Sequence, residues 1–126
     1  MVTGSCHCGA VRVDVPRRPH ALTDCNCSIC RRYGALWAYY TADSVRIECA
    51  ADALDAYSWG TKELRFLRCA TCGCLIAWVA SEPRAGGRIG VNARNLDPAA
   101  IRKARVRCFD GADTWKFLDS DAAHAR

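Results

Sequence analysis

Three cysteines fall within six positions of the stretch DCNCSIC, residues 24–30: Cys25, Cys27 and Cys30. An odd set cannot pair off internally as disulfides, so the fold must bring these thiols something else. Two further close pairs stand far from them in sequence. Cys6 and Cys8 lie in SCHCG, and Cys69 and Cys72 in CATCG. Each pair is followed directly by a glycine, Gly9 or Gly73, which permits the tight turn of a metal knuckle. Two knuckles on separate hairpins offer four sulfurs, the donor set of a closed tetrahedral structural zinc. Disulfides or an iron–sulfur cluster are the alternatives, although CxC and CxxC do not match the common ferredoxin spacings. A four-sulfur site would tie the N-terminus to the middle of the chain.

The three remaining close thiols have no obvious fourth partner. They define either a zinc with an open coordination position, as in catalytic sites, or a second structural zinc closed by another residue. An open position would accept an incoming thiol and draw off its proton. It would also polarise a carbonyl oxygen. Cys49, Cys74 and Cys108 carry no pairing pattern and are expected to be buried and inert. Cys74, two residues past Cys72, is the one that a metal site would most easily draw in.

With ten cysteines, the compartment matters. The opening MVTGSCHCGAVRV has no basic region followed by an apolar run, and the longest apolar stretch, residues 74–80, is too short for a bilayer. A reducing cytoplasm is the expected setting, in which clustered cysteines mean metal or catalysis more often than cross-links. The formal charge of +5 falls to about +2 once seven thiolates and two Zn²⁺ are included. No Lys/Arg run exceeds two residues, which argues against a nucleic-acid surface.

Elsewhere the chain reads as short extended segments. AVRVDVP (10–16) alternates Val with charged residues and ends at Pro16. Segments 35–41 and 44–49 suggest a hairpin turning at Ala42–Asp43, and 63–69 with 74–80 another around ATCG. Segments 54–59, 88–93 and 104–109 complete the expected strands. Helix is limited to one turn near residues 28–33 and to 97–103, where Asp97 is the N-cap and Pro98 the first helical residue. The class is mainly β: one domain over 1–118, with a frayed tail over 119–126.

The segments GSCHCGAVR, CNCSICRRYG and RCATCGCLI, in that order and spacing, resemble the glutathione-dependent formaldehyde-activating enzyme family, which includes the domain of centromere protein V. GVNARNLDP and FDGADTW resemble later segments of its bacterial members. The resemblance implies a small β-tent fold of short antiparallel sheets around a four-cysteine structural zinc. It implies Cys6, Cys8, Cys69 and Cys72 as structural ligands, and Cys25, Cys27 and Cys30 as ligands of a second, catalytic-site zinc. The implied activity is that of a carbon–sulfur lyase, adding glutathione as co-substrate to formaldehyde or another small aldehyde. The centromere relative supports a different class, a zinc-stabilised module that binds a protein or nucleic acid without catalysis.

Arg31 and Arg32, next to Cys30, are candidates to meet a glutathione carboxylate, as against a solvated pair of charges. Asn92 and Arg94 in GVNAR are strand residues and candidate pocket lining. Trp37, Tyr39, Tyr57, Trp59, Trp78 and Trp115 are core or sheet-face residues, some of them candidate walls over the second metal. No Ser–His–Asp order or paired-carboxylate pattern marks a general base.

Overall fold

The computed structural model describes residues 1–118. Ten strands form two sheets. The smaller sheet has the order β1 (Val2–Ser5), β2 (Arg12–Val15), β5 (Arg46–Glu48), all antiparallel. The larger runs β10 (Arg105–Phe109), β3 (Ala21–Cys25), β4 (Trp37–Thr41), β9 (Arg88–Asn92), β8 (Leu75–Ala80), β7 (Leu64–Cys69), β6 (Leu54–Tyr57). Among the described residues helix is confined to α1 (Cys30–Tyr33), α2 (Pro98–Ile101) and two 3₁₀ turns, Ala42–Ser44 and Ala93–Asn95. The mainly β class expected from the sequence is what the chain adopts. The expected frayed tail, 119–126, lies outside the described residues. None of the helices described is long and apolar enough to cross a membrane.

The period-two side-chain rule divides the large sheet into two faces. From β4, Ala38 and Tyr40 join the main core, together with Ile76 and Ala77 of β8 and Ile89 and Val91 of β9. Val11, Val13 and Val15 close that core from the small sheet. Trp37 points the other way, into a second cluster with Cys25, Cys30, Phe66 and Leu75. Trp78 packs on this second cluster, directly over Gly90, where any Cβ would run into its indole.

Two local expectations hold in detail. β7 and β8 pair as a hairpin through ATCG. Asp97 caps α2, its Oδ1 accepting from the Ala99 N–H at 3.0 Å. The expected hairpin of 35–41 with 44–49 does not form. Residues 42–44 make a 3₁₀ turn that redirects the chain, and β5 crosses to pair with β2, Ile47 opposite Val13. β4 is central, buried on both faces, and pairs with β3 and β9 instead. β1 and β3 are additional strands, and β10 runs parallel to β3, with Phe109 opposite Cys25.

Candidate metal centres

The two hairpin turns expected to carry metal knuckles meet in space. Cys6 and Cys8 come from the β1–β2 turn, Cys69 from the end of β7 and Cys72 from the β7–β8 turn. Both turns need a left-handed residue, and Gly9 (φ 83°) and Gly73 (φ 78°) provide it. The Gly9 N–H donates to the Cys6 carbonyl at 3.2 Å and the Gly73 N–H to the Cys69 carbonyl at 2.9 Å. The four Sγ atoms lie within 4.8 Å of one another, with Cys6–Cys8 at 3.7 Å and Cys8–Cys69 at 3.6 Å. A tetrahedron with zinc–sulfur bonds of about 2.3 Å has an edge of about 3.8 Å, so this spacing fits one four-coordinate thiophilic ion.

Backbone donors prepare these sulfurs for negative charge. The Val11 N–H donates to Cys6 Sγ at 3.3 Å and the Cys72 N–H to Cys69 Sγ at 3.5 Å. Backbone N–H groups of Cys74 and Cys8 pull the Cys72 thiol down to about 5. Cys74 stays outside the group of four, its carbonyl accepting from the Cys69 N–H at 2.9 Å. Cys49 is exposed rather than buried, and Cys108 is fully buried. None of the ten cysteines forms a disulfide.

Cys25, Cys27 and Cys30 also converge, their Sγ atoms within 4.8 Å of one another. Cys25 ends β3, Cys27 lies in the turn and Cys30 opens α1. Among the described residues no further His, Cys, Asp or Glu ligand atom joins them. Each sulfur accepts one N–H: Cys25 from the Cys27 backbone at 3.5 Å, Cys27 from the Cys30 backbone at 3.4 Å, and Cys30 from Trp37 Nε1 at 3.3 Å. Hydrogen bonds from Cys25, then from Cys30, hold the Cys27 thiol down to about 2. The same bonding pushes the Cys25 and Cys30 thiols up. Three sulfurs in this spacing, each accepting an N–H, fit three corners of a tetrahedral site.

The turn is locked from outside by Asn26. Its N–H donates to the Phe109 carbonyl at 3.2 Å, its Nδ2 to Asp110 Oδ1 at 3.1 Å, and its Oδ1 accepts from the Ala112 N–H at 3.0 Å. Gly111 is thereby held flat against the cluster, a Cβ there standing 2.7 Å from Cys25 Sγ.

The three sulfurs open into a cavity of about 910 Å³. Trp37, Tyr39, Phe66, Trp78 and Phe109 wall it from the sheet, and Trp59 and Trp115 from flanking segments. Its charged lining residues are Glu63, Arg88 and Lys116. The Arg88 guanidinium lies over the Tyr39 ring, 5.1 Å from its centroid. Burial pushes the Tyr39 phenol up to about 12, against an opposing hydrogen bond from Thr23, so it keeps its proton.

The four residues expected to contact substrate are not part of this lining. Cys30 turns toward the cavity, so Arg31 and Arg32, the next residues of α1, are carried outward and exposed. Arg32 Nη1 donates to the Ser28 carbonyl at 2.7 Å. Asn92 is buried, its Oδ1 accepting from the Leu36 N–H at 3.4 Å and its Nδ2 donating to the Leu75 carbonyl at 3.0 Å. Arg94 Nε donates to the Gly34 carbonyl at 2.7 Å. Sequence reasoning missed the donor role of Trp37 and the part played by Gly111 and Lys116. The signal within reach was FDGADTW itself, which the β10–β3 pairing carries to Cys25.

A family model described as glutathione-dependent formaldehyde-activating enzyme matches residues 1–111. Among solved structures, the crystal structure of a Rhodobacter sphaeroides protein is similar, with 29% sequence identity and a TM-score of 0.66. That match covers 82% of this chain and 98% of the other.

Proposed function

Because the chain belongs to the glutathione-dependent formaldehyde-activating enzyme family, we propose that it joins a small thiol, glutathione in the first instance, to an aldehyde at the Cys25–Cys27–Cys30 cluster. The observation that carries this reading is the cluster's incompleteness: three N–H-bonded sulfurs, no fourth side-chain ligand among the described residues, and a cavity in front. In this reading Cys6, Cys8, Cys69 and Cys72 hold a structural zinc, and Cys25, Cys27 and Cys30 a second. Zinc bound there supplies a Lewis acid that favours thiolate over thiol and polarises a carbonyl.

The chain's own residues do the rest. Glutathione brings two carboxylates and one ammonium; Arg88 and Lys116 pair with the former and Glu63 with the latter. The aromatic walls replace part of the water around the reacting atoms and so strengthen the charge interactions there. The thiol sulfur attacks the carbonyl carbon, a carbon–sulfur bond forms, and the carbon–oxygen π pair moves onto oxygen. Tyr39, protonated at any physiological pH, donates a hydrogen bond to that oxygen. The proton lost by the thiol ends on it, leaving an S-(1-hydroxyalkyl) adduct with no redox change. The reverse sequence is a carbon–sulfur lyase.

The test is adduct formation above the spontaneous rate, by wild type and by Cys27→Ser, each with its zinc content measured. The expected result is a rate excess in the wild type that Cys27→Ser abolishes while keeping one zinc. Equal rates would remove the catalytic claim.

A further inference from the structure

We propose that the aldehyde this site takes is an apolar one carrying a ring or a bulky hydrocarbon group, rather than formaldehyde. The inference rests on the thiol–aldehyde reading above and concerns the part of the adduct that thiol recognition does not explain. The chain has four tryptophans. All of them, Trp37, Trp59, Trp78 and Trp115, line the one cavity in front of the three-cysteine cluster. Trp37 is core and is already used as a donor to Cys30. Trp78 also packs on the core cluster of Trp37, and Trp115 meets the Phe109 ring edge-on at 5.1 Å, yet both still turn apolar surface to the cavity.

Trp59 and Trp115 are 47% and 71% exposed, so their rings gain little from the core that they leave uncovered. Large apolar rings gathered on one concave wall mark a ligand surface. Trp78 makes the same point from inside the sheet. Its indole occupies the space above Gly90, so a strand position lacks a side chain to let a tryptophan face the cavity.

Volume agrees. Formaldehyde is little larger than a water molecule, whose share of liquid volume is about 30 Å³. A cavity of about 910 Å³ is in the range that encloses a drug-sized ligand. Its three charged residues match the charges of the thiol partner, which leaves the aromatic wall for the aldehyde's substituent. The bonds made are those already written: sulfur to carbonyl carbon, the π pair to oxygen, and the thiol's proton to that oxygen. Only the substituent on carbon differs.

The test uses stable thioethers that mimic the two adducts, with the zinc-loaded full chain and its tryptophan fluorescence as readout. S-benzylglutathione and S-methylglutathione are titrated in parallel, with benzyl alcohol as an arm that lacks the thiol peptide. We expect the benzyl compound to bind at least tenfold tighter than the methyl one, since each added carbon in an apolar pocket is worth a sizeable factor. In Trp59→Ala and Trp115→Ala, both at exposed positions, that ratio should collapse toward one, the benzyl compound losing more affinity than the methyl one. Equal binding of the two thioethers overturns the inference and leaves the thiol reading standing. Binding of benzyl alcohol without either thioether supports the apolar preference and sinks the glutathione reading. Binding of none of the three overturns both.

Discussion

Replacing Gly111 with alanine should weaken one metal centre and spare the other. A Cβ at this position stands 2.7 Å from Cys25 Sγ and 3.2 Å from Cys27 Cβ. Ordinary non-bonded contacts start at about 3.5 Å, so something must move by roughly 1 Å. The backbone of the segment cannot retreat cheaply. Retreat would break the bonds that join Asn26 to Phe109, Asp110 and Ala112. Sulfur therefore moves, and metal–ligand distances tolerate only about 0.2 Å. We expect zinc affinity at the three-cysteine cluster to fall by about 10–100-fold, the range seen when a ligand's supporting contacts are removed. The assay is zinc release to a graded colorimetric chelator, counted per chain. One zinc should leave Gly111→Ala at chelator concentrations at least tenfold lower than in wild type, the second at an unchanged concentration. Identical release curves would show that the 109–112 segment does not set the cluster. Loss of both ions together would show that the two centres are not independent.

Cys69→Ser removes a buried ligand of the four-sulfur centre and should leave the chain largely unfolded by circular dichroism. Structural zinc is worth about 10–16 kcal/mol in small domains, against a net stability of about 5–15 kcal/mol; a melting temperature within a few degrees of wild type would contradict this. Trp37→Phe deletes the Nε1–H bond to Cys30 Sγ, and hydrogen bonds to charged groups are worth about 1.5–3 kcal/mol. Zinc affinity at the three-cysteine cluster should drop at least tenfold by chelator competition, with the fold retained. Asp14 is held below the ordinary carboxylate range, first by the Thr3 hydroxyl at 2.8 Å and then by Arg12 Nε at 3.1 Å. Its folded value is depressed, so the stability it contributes is present above about 4 and is lost as pH falls through the folded value. The melting-temperature gap between wild type and Asp14→Asn should be widest near pH 6 and close on acidification; a gap that grows in acid would reverse the sign of the argument.

Much of this was legible because cysteine spacing is local and strongly constrained. CxC with glycine and CxxC with glycine each specify one turn, and two such turns can share one ion only if their hairpins meet. The division of sulfur into four and three follows, and the structure keeps it. The β7–β8 hairpin and the Asp97 cap were readable for the same reason, since each is decided within a few residues. What the sequence did not reveal depends on partners distant in the chain. Nothing in RIE, with Ile47 half-buried between two charges, says whether it pairs with its neighbour β4 or with β2. The parallel β10–β3 pairing joins residues more than eighty positions apart, and it decides which aromatics stand over Cys25. Arg31 and Arg32 were candidates through adjacency to Cys30, but successive residues of a helical turn point in different directions.

The two sulfur clusters also explain each other. A chain of this size cannot easily stabilise itself when one face of its largest sheet is left uncovered. Here the small sheet covers one face, packing Val11, Val13 and Val15 onto Ala38, Ile76 and Val91. The other face carries Trp37, Tyr39, Trp78 and the cavity; the turn and short helix of residues 25–36 cover Trp37 and Phe66, and among the described residues no second sheet lies over it. The four-cysteine centre is located where the missing stability is most useful. It brings the β1–β2 turn of the small sheet against the β7–β8 turn of the large one, so a metal bound there would clamp the covered face shut. With the layers held by a metal at those four sulfurs, the opposite face would need no second sheet over it. It can remain concave, aromatic and open in front of three thiols. On this view a metal that never meets a substrate would be what allows the domain to keep an open aromatic cavity at all.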